Sequence, residues 1–69
     1  MIEVFTTNVK EQCEADKLLV LLQQHFSTSK INFDLHDCDK ILRVEGNIVE
    51  VEKVRMLVEE NGFVCKVLE

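Results

Sequence analysis

Four short segments of the chain alternate between apolar and polar residues, and a period of two predicts β-strands. These segments are residues 2–7, 30–36, 40–45 and 63–68. In the second segment, Ile31, Phe33 and Leu35 share one face and polar residues occupy the other, which is typical of a strand with one face in water. In the third segment, Leu42 and Val44 are predicted to face the core.

The same alternation predicts which side chains of the first and last strands face the core. In residues 2–7, Ile2, Val4 and Thr6 are predicted to share one face, and in residues 63–68 the inward set is Phe63, Cys65 and Val67. The opposite, open face of the sheet is then predicted to mix apolar and polar residues: Glu3, Phe5, Asn32, Asp34, Ile41, Arg43, Val64, Lys66 and Leu68.

Apolar residues at helical spacing predict two amphipathic helices, over residues 10–26 and 48–61. The predicted buried stripe of the first helix is Ala15, Leu18, Leu19, Leu22 and Phe26. The predicted buried stripe of the second helix is Ile48, Val51, Val54, Leu57 and Val58. The pair Asn61-Gly62 supplies the left-handed residue that commonly ends a helix.

The predicted order of elements is β-α-β-β-α-β, which indicates an α+β, ferredoxin-like fold. Two right-handed crossovers then give a four-stranded antiparallel sheet in the order 4-1-3-2, with both helices on one face. The 69 residues suffice for a single domain, residues 1–69, with one core and no deep substrate cleft.

Charge and hydropathy narrow the classes of partner. The chain has 13 acidic and 8 basic residues and a net charge of −5, so it offers no basic face for nucleic acid. The longest apolar run, residues 18–22, is too short for membrane insertion. A strand-like start without a basic, apolar leader predicts a cytoplasmic protein, and three cysteines, an odd number, fit free thiols there.

Several short motifs together narrow the fold to a family. The stretch that runs from Ile31 through residues 43–47, Arg-Val-Glu-Gly-Asn, to residues 59–63, Glu-Glu-Asn-Gly-Phe, resembles the second half of a heavy-metal-associated domain. The likeness extends over nearly the whole chain. It implies handling of copper(I) or zinc and transfer of the metal to a partner protein.

The metal motif of that family is altered in this chain. The family carries Met-x-Cys-x-x-Cys between the first strand and the first helix, and the matching residues 8–13 read Asn-Val-Lys-Glu-Gln-Cys. Cys13 matches the second cysteine, Lys10 stands in place of the first, and Asn8 stands in place of the methionine. A protonated lysine cannot ligate a metal and repels it, so chelation by both motif cysteines of one chain is excluded.

A replacement metal site is the candidate that follows from the topology. Cys38 and His36 lie near the tip of the predicted hairpin, at the same end of the sheet as Cys13. Two thiolates and an imidazole suit zinc or copper. Each thiol also has an interpretation without a metal: Cys13 as a partly buried remnant of the family's motif that no longer binds metal, and Cys38 as a thiol without a function in a solvated turn. Cys65 is predicted to lie in the core.

No catalytic constellation is evident, which predicts a protein that is not an enzyme. Three functions follow. The first is a heavy-metal-associated-like domain that binds or transfers copper(I) or zinc through an altered site. The second is a metal-independent interaction module that binds a protein partner or forms a homodimer through its open sheet face. The third is a thiol-based redox role for Cys13.

Overall fold

The computed structural model describes residues 1–68. Glu69, the last residue of the predicted domain 1–69, lies outside the described residues. Within these residues the chain forms four strands and two helices: β1 Ile2–Thr7, α1 Gln12–His25, β2 Lys30–Asp34, β3 Ile41–Glu45, α2 Val51–Glu60 and β4 Cys65–Val67.

The strands form one antiparallel sheet in the order β2-β3-β1-β4, which is the predicted order 4-1-3-2 read from the other edge. Phe5 lies opposite Leu42 on β3 and opposite Val67 on β4, so these side chains share one face of the sheet. Both helices pack on this face, because Leu22 of α1 and Val58 of α2 belong to the same buried cluster as Phe5. The predicted ferredoxin-like α+β fold is confirmed.

The core has a main cluster and a smaller one at the end of the sheet where β1 leaves it. The main cluster contains Phe5, Leu22, Leu42, Val44, Val49, Val54, Val58 and Cys65. The smaller cluster contains Val9, Ala15 and Leu18, with Phe33, Leu35 and Phe63 packed against it. Val9, in the loop between β1 and α1, thus anchors that loop beneath the first helix.

The predicted orientation of β1 is wrong. Phe5 is 0% exposed and lies in the core, and Glu3 lies opposite the buried Val44 on the same face. Val4 and Thr6 therefore lie on the open face. Residues 2–7 carry apolar side chains in both phases of the alternation, so the period alone does not select a face; burial of the largest side chain, Phe5, against both helices does.

The helices are shorter than predicted. α1 begins at Gln12, and the Glu14 carboxylate accepts a hydrogen bond of 3.4 Å from the Glu11 N–H, which satisfies a free donor at the helix start. α2 begins at Val51, so Ile48 lies before the helix and is 76% exposed, contrary to its predicted burial. Val49 is buried instead. Neither helix of the described chain has the length and apolar character that crossing a bilayer requires.

Candidate metal-binding end of the sheet

Three loops meet at the end of the sheet where β1 finishes. The Thr7 N–H donates to the Asp39 carbonyl at 3.1 Å, and the Thr7 hydroxyl donates to the Lys40 carbonyl at 2.6 Å. The Val64 N–H donates to the Asn8 side-chain oxygen at 2.7 Å. The loop after β1 is therefore joined to the β2–β3 hairpin on one side and to the turn after α2 on the other, as the topology predicted.

Cys13 is placed by the loop that precedes α1. Val9 is fully buried and its N–H donates to the Thr7 hydroxyl at 3.2 Å, which fixes the path of the chain into the helix. Cys13 is then the second residue of α1 and its side chain is exposed. Lys10 is exposed as well, so its ammonium group is free to extend into water.

Cys38 lies at the exposed tip of the hairpin, in a turn held by its flanking residues. The Lys40 N–H donates to the Asp37 carbonyl at 3.0 Å, and the Asp39 N–H donates to the Asp37 carboxylate at 2.8 Å. Lys40 has a φ of 51°, in the left-handed region, and its ammonium donates to the Leu35 carbonyl at 2.9 Å. The turn thus forms from its own polar groups.

The structure does not gather the predicted set Cys13, Cys38 and His36 into one cluster. Within residues 1–68, the one group of three or more His, Cys, Asp or Glu residues whose ligand atoms lie within 4.8 Å of one another is Asp37, Cys38 and Asp39, all exposed. Exposed acidic groups commonly cluster in turns without a metal. Asp37 and Asp39 were not among the predicted ligands, although their position on either side of a cysteine is visible in the sequence.

Cys65 is excluded from any surface chemistry by its burial. It is 0% exposed within the main cluster, which confirms the predicted core position. Burial, together with the nearby negative charge of Glu59, raises the pKa of Cys65 to about 12, although the positive charge of Arg55 acts in the opposite direction. The thiol is therefore protonated at neutral pH, which leaves Cys13 and Cys38 as the accessible free thiols of the described chain.

Phe63 covers the core beside the Cys13 loop. It is half-buried and packs against both clusters, in agreement with its predicted inward orientation. A shallow groove lies between this ring and α1, lined by Glu14, Lys17, Leu18, Leu21, Asn61 and Phe63.

The chain matches no protein-family model, and no curated protein or solved structure matches it significantly.

We expect replacement of Thr7 by valine to destabilise the protein by about 1–3 kcal/mol, because the change removes two hydrogen bonds and leaves two part-buried backbone groups without their partner. Urea denaturation followed by circular dichroism measures the loss. Thr6→Val is the matched control: Thr6 lies on the open face, and in the described chain its hydroxyl makes no hydrogen bond to another residue. Equal stability of the two variants would show that the Thr7 hydroxyl does not stabilise the junction of the loops.

Proposed function

We propose that this chain is a non-enzymatic, heavy-metal-associated-like domain that binds copper(I) or zinc through an altered site. Cys13 supplies the first ligand, and the second comes from Cys38, from His36 or from another chain. One observation supports this function above others: the hydrogen bonds of Thr7 hold the Cys13 loop and the Cys38 hairpin together at one end of the sheet, and both thiols are exposed.

The charged residues near Cys13 and Cys38 affect how readily each thiol binds a metal cation. Thiolates are the ligands that soft copper(I) prefers, and they also bind zinc. Lys10 opposes a cation near Cys13, but an exposed ammonium group is well screened by water and by salt. Asp37 and Asp39 flank Cys38 and attract cations to the hairpin tip.

An incomplete ligand set on one chain favours transfer over storage. A metal held by one or two exposed thiols leaves positions open for ligands from a second protein, and ligand exchange then proceeds without unfolding either partner. This arrangement fits the transfer role that the family resemblance implies. It also allows two copies of the chain to share one ion, with Cys13 contributed by each.

Titration of the reduced protein with copper(I) and with zinc, followed by native mass spectrometry, tests the metal function. We expect one ion per chain or one per pair of chains. Cys13→Ser should weaken binding by more than the roughly 10- to 100-fold that changes to outer-shell partners of a ligand cause, because it removes a ligand itself. Cys38→Ser and His36→Asn test the second ligand. Cys65→Ala is the matched control, since it removes a buried thiol and should leave binding unchanged. Absence of stoichiometric binding, or binding that survives Cys13→Ser, would refute this function.

A second candidate function is a metal-independent interaction module. It is favoured by apolar side chains that remain exposed on the open face of the sheet, at the β1 and β4 side: Ile2 and Leu68, beside the half-buried Val4. Exposed apolar side chains that lie together commonly mark a protein interface. The partner is either another protein or a second copy of this chain.

A further inference from the structure

The turn that ends α2 contains the pair Asn61-Gly62, for which the metal function has no use. The Gly62 N–H donates to the Glu59 carbonyl at 3.0 Å, and the Phe63 N–H donates to the Val58 carbonyl at 3.4 Å. These two bonds form the Schellman motif of a helix end, and Gly62 has the positive φ, 90°, that this motif requires. The glycine after Asn61 is therefore needed by the backbone of the turn.

An asparagine that is followed by glycine is prone to deamidation for a steric reason. The reaction begins when the backbone nitrogen of the next residue attacks the side-chain amide carbon, and a side chain on that next residue obstructs the attack. Asn61 and Gly62 are both exposed. Apart from its chain neighbours, no atom lies within 4 Å of the position that a Cβ would occupy at Gly62. The succinimide ring therefore has room to form, and water can reach it.

The chain contains three other asparagines, Asn8, Asn32 and Asn47, which serve as internal references. All three are exposed, so exposure does not distinguish them from Asn61. They are followed by valine, phenylalanine and isoleucine, whose bulk hinders attack by the backbone nitrogen. The residue that follows therefore makes Asn61 the reactive asparagine of the chain.

Two hydrogen bonds of the folded turn oppose the reaction at Asn61. Its side-chain NH₂ group donates to the Leu57 carbonyl at 2.8 Å, which directs the side chain back along α2. The Gly62 nitrogen is also engaged, because its N–H donates to the Glu59 carbonyl. Attack requires both bonds to open, which amounts to local unfolding of the last turn of α2.

We propose that Asn61 is a site of spontaneous deamidation whose rate is set by the opening of the last turn of α2. In the open turn, water or hydroxide removes the proton of the Gly62 N–H, and the nitrogen bonds to the side-chain amide carbon of Asn61. The bond from that carbon to its NH₂ group breaks, and ammonia leaves with a proton taken from water. Water then opens the succinimide ring at either carbonyl, which yields aspartate or isoaspartate. The reaction requires no metal and does not depend on the metal function.

The product weakens the end of α2 in two ways. An aspartate carboxylate cannot donate a hydrogen bond, so the bond from residue 61 to the Leu57 carbonyl is lost. The new negative charge also follows directly after Glu59 and Glu60, at the helix end where the dipole disfavours anions. The modified chain is therefore less stable, and the groove that Asn61 lines beside α1 gains a negative charge.

Incubation of the chain in mildly alkaline buffer, with and without urea, followed by proteolysis and mass spectrometry, measures the rate at each asparagine. In urea we expect Asn61 to be converted well before the other three. In the folded chain we expect its conversion to be about 10- to 100-fold slower than in urea, because two hydrogen bonds must open first. We still expect it to be faster than conversion of the other three.

Ile48→Gly is the matched control, because it places a glycine after Asn47 in the loop before α2. Ile48 is 76% exposed and lies outside the core, so the change leaves the fold intact. Within residues 1–68 the Asn47 side chain makes no hydrogen bond to another residue. We therefore expect Asn47 in this variant to react faster than Asn61 in the same folded molecule.

Two results overturn the proposal. Folded Asn61 that reacts no faster than Asn8 and Asn32 overturns the site itself. Equal rates of Asn61 in the folded chain and in urea, or a rate of Asn61 equal to that of Asn47 in Ile48→Gly, overturn its restraint by the turn. Both results leave the outcome of the metal titration unaffected, so this proposal and the metal function fail separately.

Asn61→Asp tests the consequence of the reaction without the reaction itself. We expect the midpoint of urea denaturation, followed by circular dichroism, to be lower than that of the wild type. Asn47→Asp is the matched control, since it adds the same charge on the N-terminal side of α2, where the helix dipole favours anions. Equal midpoints of the two variants overturn the weakening of α2 by deamidation.

Discussion

Replacement of Phe5 by alanine is expected to leave the chain largely unfolded at 25 °C. Phe5 is fully buried between the sheet and both helices, and truncation of a buried phenylalanine to alanine costs about 3–5 kcal/mol. A domain of this size has a total stability of about 3–10 kcal/mol, so the loss is comparable to the whole. Because the chain contains no tryptophan or tyrosine, far-ultraviolet circular dichroism in urea is the suitable measurement.

Val4→Ala is the matched control for Phe5, since it lies next to Phe5 on the same strand but on the open face. We expect it to cost about 1 kcal/mol or less, because Val4 is only partly buried and belongs to neither core cluster. The alternation in the sequence predicted the opposite ranking. A loss at Val4 equal to or larger than the loss at Phe5 would contradict the orientation of β1 in the structure.

Alkaline pH is expected to destabilise the protein through Cys65. The pKa of this thiol is about 12 in the folded state, because the core disfavours the thiolate, and 9.0 is the value for an exposed cysteine. Below pH 9 the thiol is protonated in both states and its contribution to stability is fully present. Above pH 9 the unfolded state ionises first, so stability falls by about 1.4 kcal/mol per pH unit until the folded thiol also ionises near pH 12.

Urea denaturation at intervals from pH 8 to pH 11 measures this loss, and Cys65→Ala is the control. The variant is less stable at every pH because it leaves a small cavity, so the slope of stability against pH is compared and not its absolute value. Lysines titrate in both proteins over this range and their effect cancels in the comparison. Equal slopes would mean that the Cys65 thiolate forms in the folded protein as easily as in the unfolded chain.

The fold was predictable because the alternation in the strands, the helical spacing of apolar residues and the order of the elements all indicate the same architecture. Alternation in β2 and β3 placed Phe33, Leu42 and Val44 on the core face of the sheet. Helical spacing identified the buried faces of the two helices that cover it, which are Ala15, Leu18 and Leu22 in α1 and Val54 and Val58 in α2. With those elements in that order, the handedness of crossovers allows few topologies. Helix ends were predicted less well, because Ile48 and Val49 continue the apolar pattern of α2 although the chain there is not helical.

The candidate site was predictable only in part. The sequence placed Cys13 in the first turn of α1, Cys38 at the hairpin tip and Cys65 in the core, and topology brought the first two to the same end of the sheet. Whether their ligand atoms converge depends on the conformation of two loops. Those conformations are set by the burial of Val9 and by the hydrogen bonds of Thr7, which no periodicity encodes.

The sequence by itself determined the helices and strands and their order. It also determined the buried face of each segment that has one clearly apolar face. The tertiary structure decided the orientation of β1, where apolar residues occupy both phases, because only the packing of two helices against one face selects Phe5 over Val4. It also decided that, within residues 1–68, the Cys13 thiol does not join Cys38 in one cluster of ligand atoms. The physical reason is the same in both cases: local pattern sets local structure, whereas contacts between distant residues depend on the free energy of the assembled core.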